Sequence, residues 1–174
     1  MTRLNNYLGE FVYGAIDGSV TTFAVVAGAA GAHLGAPVVV ILGFANLLAD
    51  GLSMSIGSYL SAKSESDMMK RQGIDTGHAR SPRIRGLITF LSFVSVGFIP
   101  LFIYVFDLMF GLRSDNNFLT ASILTLMAFL VIGYFRSRVT HSGKIKAIAE
   151  TLMLGVAAAA AAFFVGNVLE KIIT

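Results

Sequence analysis

The residues of this chain best suited to chemistry are acidic side chains set among apolar ones. Glu10, Asp17 and Asp50 each lie in or beside a long run of aliphatic and aromatic residues. A charged carboxylate at the centre of a bilayer costs about 2.5–3.5 kcal/mol on insertion scales, so its presence asks for a partner or a task. Glu10 and Asp17 are two helical turns apart and share a face. Asn46, Asp50 and Met54 recur every fourth residue and form a second stripe of amide, carboxylate and thioether. Carboxylate and amide oxygens suit hard divalent cations, and a thioether adds preference for softer ones. The mixture fits Fe²⁺ or Mn²⁺ better than Ca²⁺ or Mg²⁺, which take all-oxygen shells. A low-dielectric site favours the neutral form of a carboxyl group in general, so metal binding there releases protons. Two readings stay open: a methionine such as Met54, taken alone, more often serves packing than ligation, and Glu10 fits the membrane interface as well as its interior.

Small residues surround this chemistry. Gly14 and Gly18 flank Asp17, while Gly51 and Gly57, with Ser53 and Ser55, keep the neighbourhood of Asp50 and Met54 slim. Such spacing lets a second helix come close, which would bring the two stripes together, or two copies of the pair. The remaining polar residues have plainer readings. Glu65 and Asp67, beside Met68 and Met69, form either a metal-collecting vestibule or a solvated helix end. Glu150 follows Lys146 by one turn, the spacing of a local ion pair. Asp107 and Asp115 read as helix caps or loop residues, and His33, His78 and His141 as loop residues without ligand partners.

The elements that must position these residues are membrane spans. Of 174 residues, 55% are hydrophobic and 13% charged, and the mean hydropathy is +0.75. A soluble domain carries roughly a quarter charged residues. A span needs roughly 20 mostly apolar residues, and five stretches qualify: 11–32, 37–60, 86–110, 118–135 and 148–169. The expected fold is all-α, a single transmembrane domain of five helices. The first two are joined around Gly35 as a tight hairpin, and residues 61–85 form a short mobile loop. Pro100 should kink the third span, and the alanine run 157–162 between Gly155 and Gly166 should give the fifth a face for close helix contact. The first stretch is longer than the apolar core of a signal peptide and is followed by four more, so it reads as a span.

Charge placement orients the bundle. Arg3, Lys63, Lys70, Arg71, Arg80, Arg83, Arg85, Arg136, Arg138, Lys144 and Lys146 fall on one side, against Arg113 and Lys171 on the other. The positive-inside rule makes the first side cytoplasmic, with the N-terminus in and the C-terminus out. Tyr7, Tyr59 and Tyr134 near the inner ends agree. Short basic loops between spans give no nucleic-acid surface, and without cysteine there is no disulfide or thiolate site. No nucleophile–base pair or cofactor motif points to an enzyme, and no permanently bound cofactor is expected.

Residues 10–28, Glu-Phe-Val-Tyr-Gly-Ala-Ile-Asp-Gly-Ser-Val-Thr-Thr-Phe-Ala-Val-Val-Ala-Gly, resemble the first helix of the vacuolar iron transporter family and its bacterial homologues. Residues 43–65, with Asn46, Asp50, Met54 and Glu65, resemble its second. The resemblance implies a five-helix homodimer with the ion path between subunits. It implies export of Fe²⁺ or Mn²⁺, with Co²⁺ and Zn²⁺ as further candidates, from the cytoplasm in exchange for protons. Asp17 and Met54 match path-lining residues, and Glu10 matches a glutamate at the cytoplasmic mouth. Two departures stand out. Typical members insert a glutamate- and methionine-rich metal-binding domain where this chain has only 61–85, and some carry a glutamate where Asn46 stands. The implied location is a multi-pass one, the inner membrane in a bacterium. The rival functions are a passive cation channel and a non-transporting assembly or sensor component.

Overall fold

A computed structural model describes residues 7–73, 81–111 and 116–173. Arg3, His78, Arg80, Arg113 and Asp115 lie outside the described residues. The helices are α1 (Leu8–Gly31), α2 (Ala36–Arg71), α3 (Pro82–Gly97), α4 (Ile99–Phe110), α5 (Asn117–Thr140) and α6 (Lys144–Ile173), with no strand among the described residues. Four are long and apolar enough to cross a membrane, and α3 with α4 passes the same test as a pair bent by 53°.

All three prolines of the chain sit in the first turn of a helix. There the missing N–H is no loss, because the first turn has no intrahelical acceptor to meet. Pro37 opens α2 after the extended Gly35, and Pro82 opens α3 after the extended Ser81. Pro100 opens α4, so the kink expected in the third span is a full break at Phe98. Gly111 ends α4 in the left-handed conformation, φ +64°, which glycine adopts without steric cost.

The central element is α1. It touches every other helix and packs most extensively on α6 and α3. The short turn between α1 and α2 makes them sequence neighbours, yet α3 packs more closely on each of them than they pack on one another. Outward-facing side chains on α2, α5 and α6 are aliphatic or aromatic, among them Ile41, Leu48, Met127, Phe164 and Ile172. A surface this apolar belongs against lipid. Buried hydroxyls are satisfied within their own helices, as lipid requires: Ser19 donates to the carbonyl of Ala15 (2.7 Å), Thr125 to Ala121 (2.7 Å) and Thr151 to Ala147 (2.9 Å).

α2 differs most from expectation. Its 36 residues rise about 54 Å, well beyond a bilayer core of roughly 30 Å. The helix continues through Arg71, so the expected loop of 61–85 is helical at both ends. Glu150 also finds another partner: its carboxylate lies 2.8 Å from the Arg136 guanidinium of α5, not in a local pair with Lys146. Asp107 is neither cap nor loop. It is buried on α4 and accepts a 2.8 Å hydrogen bond from the Asn117 amide at the start of α5. Asn117→Ala should therefore lower stability by about 1–3 kcal/mol, because a buried carboxylate loses a donor. Thermal unfolding in detergent measures this, and an unchanged midpoint would refute it. His33 and His141 occupy turns with positive φ, as loop residues do.

Candidate cation path

The start of α1, the far half of α2, the starts of α3 and α6 and the end of α5 share one end of the bundle. Arg85 with Glu10, Gly9 with Val139, and Arg136 with Glu150 connect them there. This end collects the described basic residues apart from Lys171.

A cleft of about 420 Å³ opens at this end between α1, α2 and α3. Glu10, Tyr13, Met54, Ser58, Ser61 and Arg85 line it. The carboxylate of the first stripe and the thioether of the second thus meet in one cavity, as their spacing allowed. Glu10 is 8% exposed, and its Oε1 lies 2.8 Å from Arg85 Nε. The same guanidinium reaches Glu65 Oε2 at 3.2 Å through its terminal nitrogen. Glu65 therefore belongs to the cleft mouth, whereas Asp67 is exposed and lies 3.9 Å from Lys70.

Deeper in, Asp17 and Asp50 are close enough to interact electrostatically. Two ionised carboxylates at such range repel, and a divalent cation between them removes the repulsion. Asn46 sits one turn further along α2, with its amide nitrogen 3.5 Å from both the Thr21 and Thr22 hydroxyls of α1. The Thr21 hydroxyl itself donates to the Asp17 carbonyl (2.8 Å). The antiparallel pair thus forms a ladder from Glu10, Met54 and Ser61 through Asp17 and Asp50 to Thr21 and Asn46. Eleven residues of α1 separate its ends, about 16 Å of depth. Among the described residues no three His, Asp or Glu side chains converge on one point.

Gly14, Gly18 and Gly51 let another helix come close, as their spacing predicts. A Cβ on Gly14 would meet Ser92 Oγ and the Thr89 carbonyl of α3, and one on Gly18 would meet the Phe93 backbone. Within the chain their close partner is α3, not α2, and it positions the face of α1 that carries Asp17. Gly51 likewise faces Phe90 and Phe93 of α3 at 3.3 Å. Gly57 has nothing within 4 Å among the described residues, so it packs none of the described helices. The small-residue face of α6 meets α1 through Ala162 and Gly166 at Gly28 and Phe163 at Gly31.

Sequence reasoning missed Arg85, Tyr13, Ser58 and Ser61. Arg85 carried a usable signal: it is the basic residue nearest the third apolar stretch.

An apolar helical bundle with an acidic, thioether-containing ladder between two of its helices is a multi-pass membrane protein with the makings of an ion path. The VIT family model matches residues 8–75 and 68–167, and the chain belongs to this family. It is similar to a "Vacuolar iron transporter" of Toxoplasma gondii, 26% identical over 232 aligned positions covering 97% of this chain and 76% of that protein. A protein of the same name from Plasmodium falciparum is 26% identical, covering 94% of this chain and 82% of that one. "Vacuolar iron transporter 1" of Arabidopsis thaliana is 26% identical, covering 92% and 85%. These relatives are transporters, not enzymes. The two matched segments join at 68–75, where α2 ends.

Proposed function

We propose that this chain moves divalent transition metal ions, Fe²⁺ or Mn²⁺, out of the cytoplasm in exchange for protons, working as a two-fold dimer. The observation that carries the reading is the single cleft in which Glu10 and Met54 meet, continued inward by Asp17 and Asp50. Oxygen and thioether ligands together favour these ions over Ca²⁺ and Mg²⁺. The basic end faces the cytoplasm by the positive-inside rule, so the cleft is the cytoplasmic mouth. Glu10 receives the ion, Met54 tunes selectivity, and Asp17 and Asp50 bind metal and exchange protons. One protomer offers a sparse ligand set, and a symmetric partner would double it across the exposed faces of α1 and α2. The names of the relatives support iron as cargo. The junction of the matched segments is consistent with a metal-binding insertion missing after α2.

The test is flux of Fe²⁺, Mn²⁺, Co²⁺ and Zn²⁺ in proteoliposomes with and without a pH gradient. Fe²⁺ and Mn²⁺ flux should exceed that of the others and respond to the gradient. Flux that ignores the gradient would mean a passive channel. No flux, with no metal binding by calorimetry, would mean an assembly or sensor role.

A further inference from the structure

Arg85 stands where a cation is expected to pass. It projects from the first turn of α3 into the cleft that holds Met54, and its guanidinium bridges Glu10 of α1 and Glu65 of α2. It is 25% exposed, between nearly buried Glu10 and Glu65 at 58%, and so plugs the boundary between solvent and ladder. Two carboxylates thus share this guanidinium at the boundary. An ion that takes over Glu10 must displace a tethered cation already in place.

We propose that Arg85 is a selectivity residue, a resident cation between Glu10 and Glu65 that a divalent ion displaces and a monovalent ion does not. The inference rests on the transport reading above. A potassium ion carries the charge of the guanidinium but lacks its hydrogen bond to Glu65 and its tether, so exchange gains nothing. A divalent ion doubles the attraction to each carboxylate and neutralises the pair. The abundant monovalent ions of a cell are thereby kept out of a site that is otherwise a simple acidic well. The displaced guanidinium stays attached at α3 and reseals the mouth when the ion moves inward.

The test is Mn²⁺ uptake by proteoliposomes, with potassium exchanged for N-methylglucamine at constant ionic strength. For the wild-type protein, the apparent KM should not depend on potassium. For Arg85→Gln, the KM at low potassium should fall about tenfold, the scale of a lost charge-assisted contact. It should then climb back as potassium is added. A residue that only braced α1, α2 and α3 would change yield or thermal stability but create no potassium dependence. An Arg85→Gln protein that transports with wild-type KM and no potassium effect overturns the proposal. Should that variant fail to reach the membrane, Arg85→Lys decides. Its ammonium reaches one carboxylate at a time and should show part of the potassium sensitivity, and none would overturn the proposal. A wild-type protein that moves no metal would defeat the transport reading instead. Arg85 would then be judged by Mn²⁺ binding to detergent-solubilised protein, where the same potassium competition is expected.

Discussion

Replacing Asp17 with alanine is expected to reduce metal flux about 100-fold, the effect of deleting one charged ligand at membrane depth. Folded protein should not decline with it. No ion pair holds the Asp17 carboxylate among the described residues, and its charged neighbour is Asp50, which it repels. Removing it leaves α1 seated on α3 through Gly14 and Gly18 and relieves that repulsion. The thermal midpoint in detergent should therefore equal or exceed that of the wild type. The cellular counterpart is lost metal tolerance at an unchanged protein level. Unchanged tolerance, or loss of flux that tracks loss of folded protein, would remove Asp17 from the path. Asp50 shares the electrostatic site, so Asp50→Ala in the Asp17→Ala background should add little further loss. Residues acting as a unit are not additive.

A large effect on folding is expected at Gly18. A Cβ there would come within 3 Å of the Phe93 backbone, including its carbonyl carbon at 2.9 Å. On the facing helix, a Cβ on Gly97 would lie 2.7 Å from the Gly18 carbonyl oxygen. Neither clash involves only the far end of a flexible side chain, so the helices must separate. Gly18→Ala should cost about 3 kcal/mol, the upper range for overpacking, and depress both yield and thermal midpoint in detergent. Gly57→Ala is the contrast. Among the described residues nothing approaches that position within 4 Å, and alanine is the better helix former by about 1 kcal/mol, so the fold should tolerate it. Equal damage from both changes would show that glycine matters here through helix flexibility and not through the α1–α3 contact.

The residues on one helix face were legible in the sequence because helical periodicity places them there. Glu10 with Asp17, and Asn46 with Asp50 and Met54, needed only the spacing of turns. The break at Pro100 was legible for a similarly local reason, a missing donor. What spacing could not supply was the identity of the partner. Two glycines four apart announce that some backbone comes close, and α3 satisfies that as well as α2 would. Glu150 has Lys146 one turn away, yet an arginine on another helix claims it. Arg85 looked like one more positive loop charge, because nothing along the chain says that a guanidinium will fold back between two acids. The polar run after Leu60 read as loop from its composition. Its Ala62, Lys63, Glu65, Met68 and Met69 are good helix formers all the same, and α2 extends through them.

The central place of α1 also sets a schedule for biogenesis. α1 leaves the ribosome first, whereas α3, α5 and α6, which cover most of it, follow later. At ordinary synthesis rates the last of them arrives roughly 10–30 s after α1. Through that interval Asp17, Ser19 and Thr22 lie on a newly inserted helix whose permanent neighbours do not yet exist. The translocon, or a transient partner, must shelter this helix until α6 closes over Gly28 and Gly31. Quality control of the nascent protein is thus decided when α6 arrives, and a chain truncated before α6 should be degraded even though its ladder is complete.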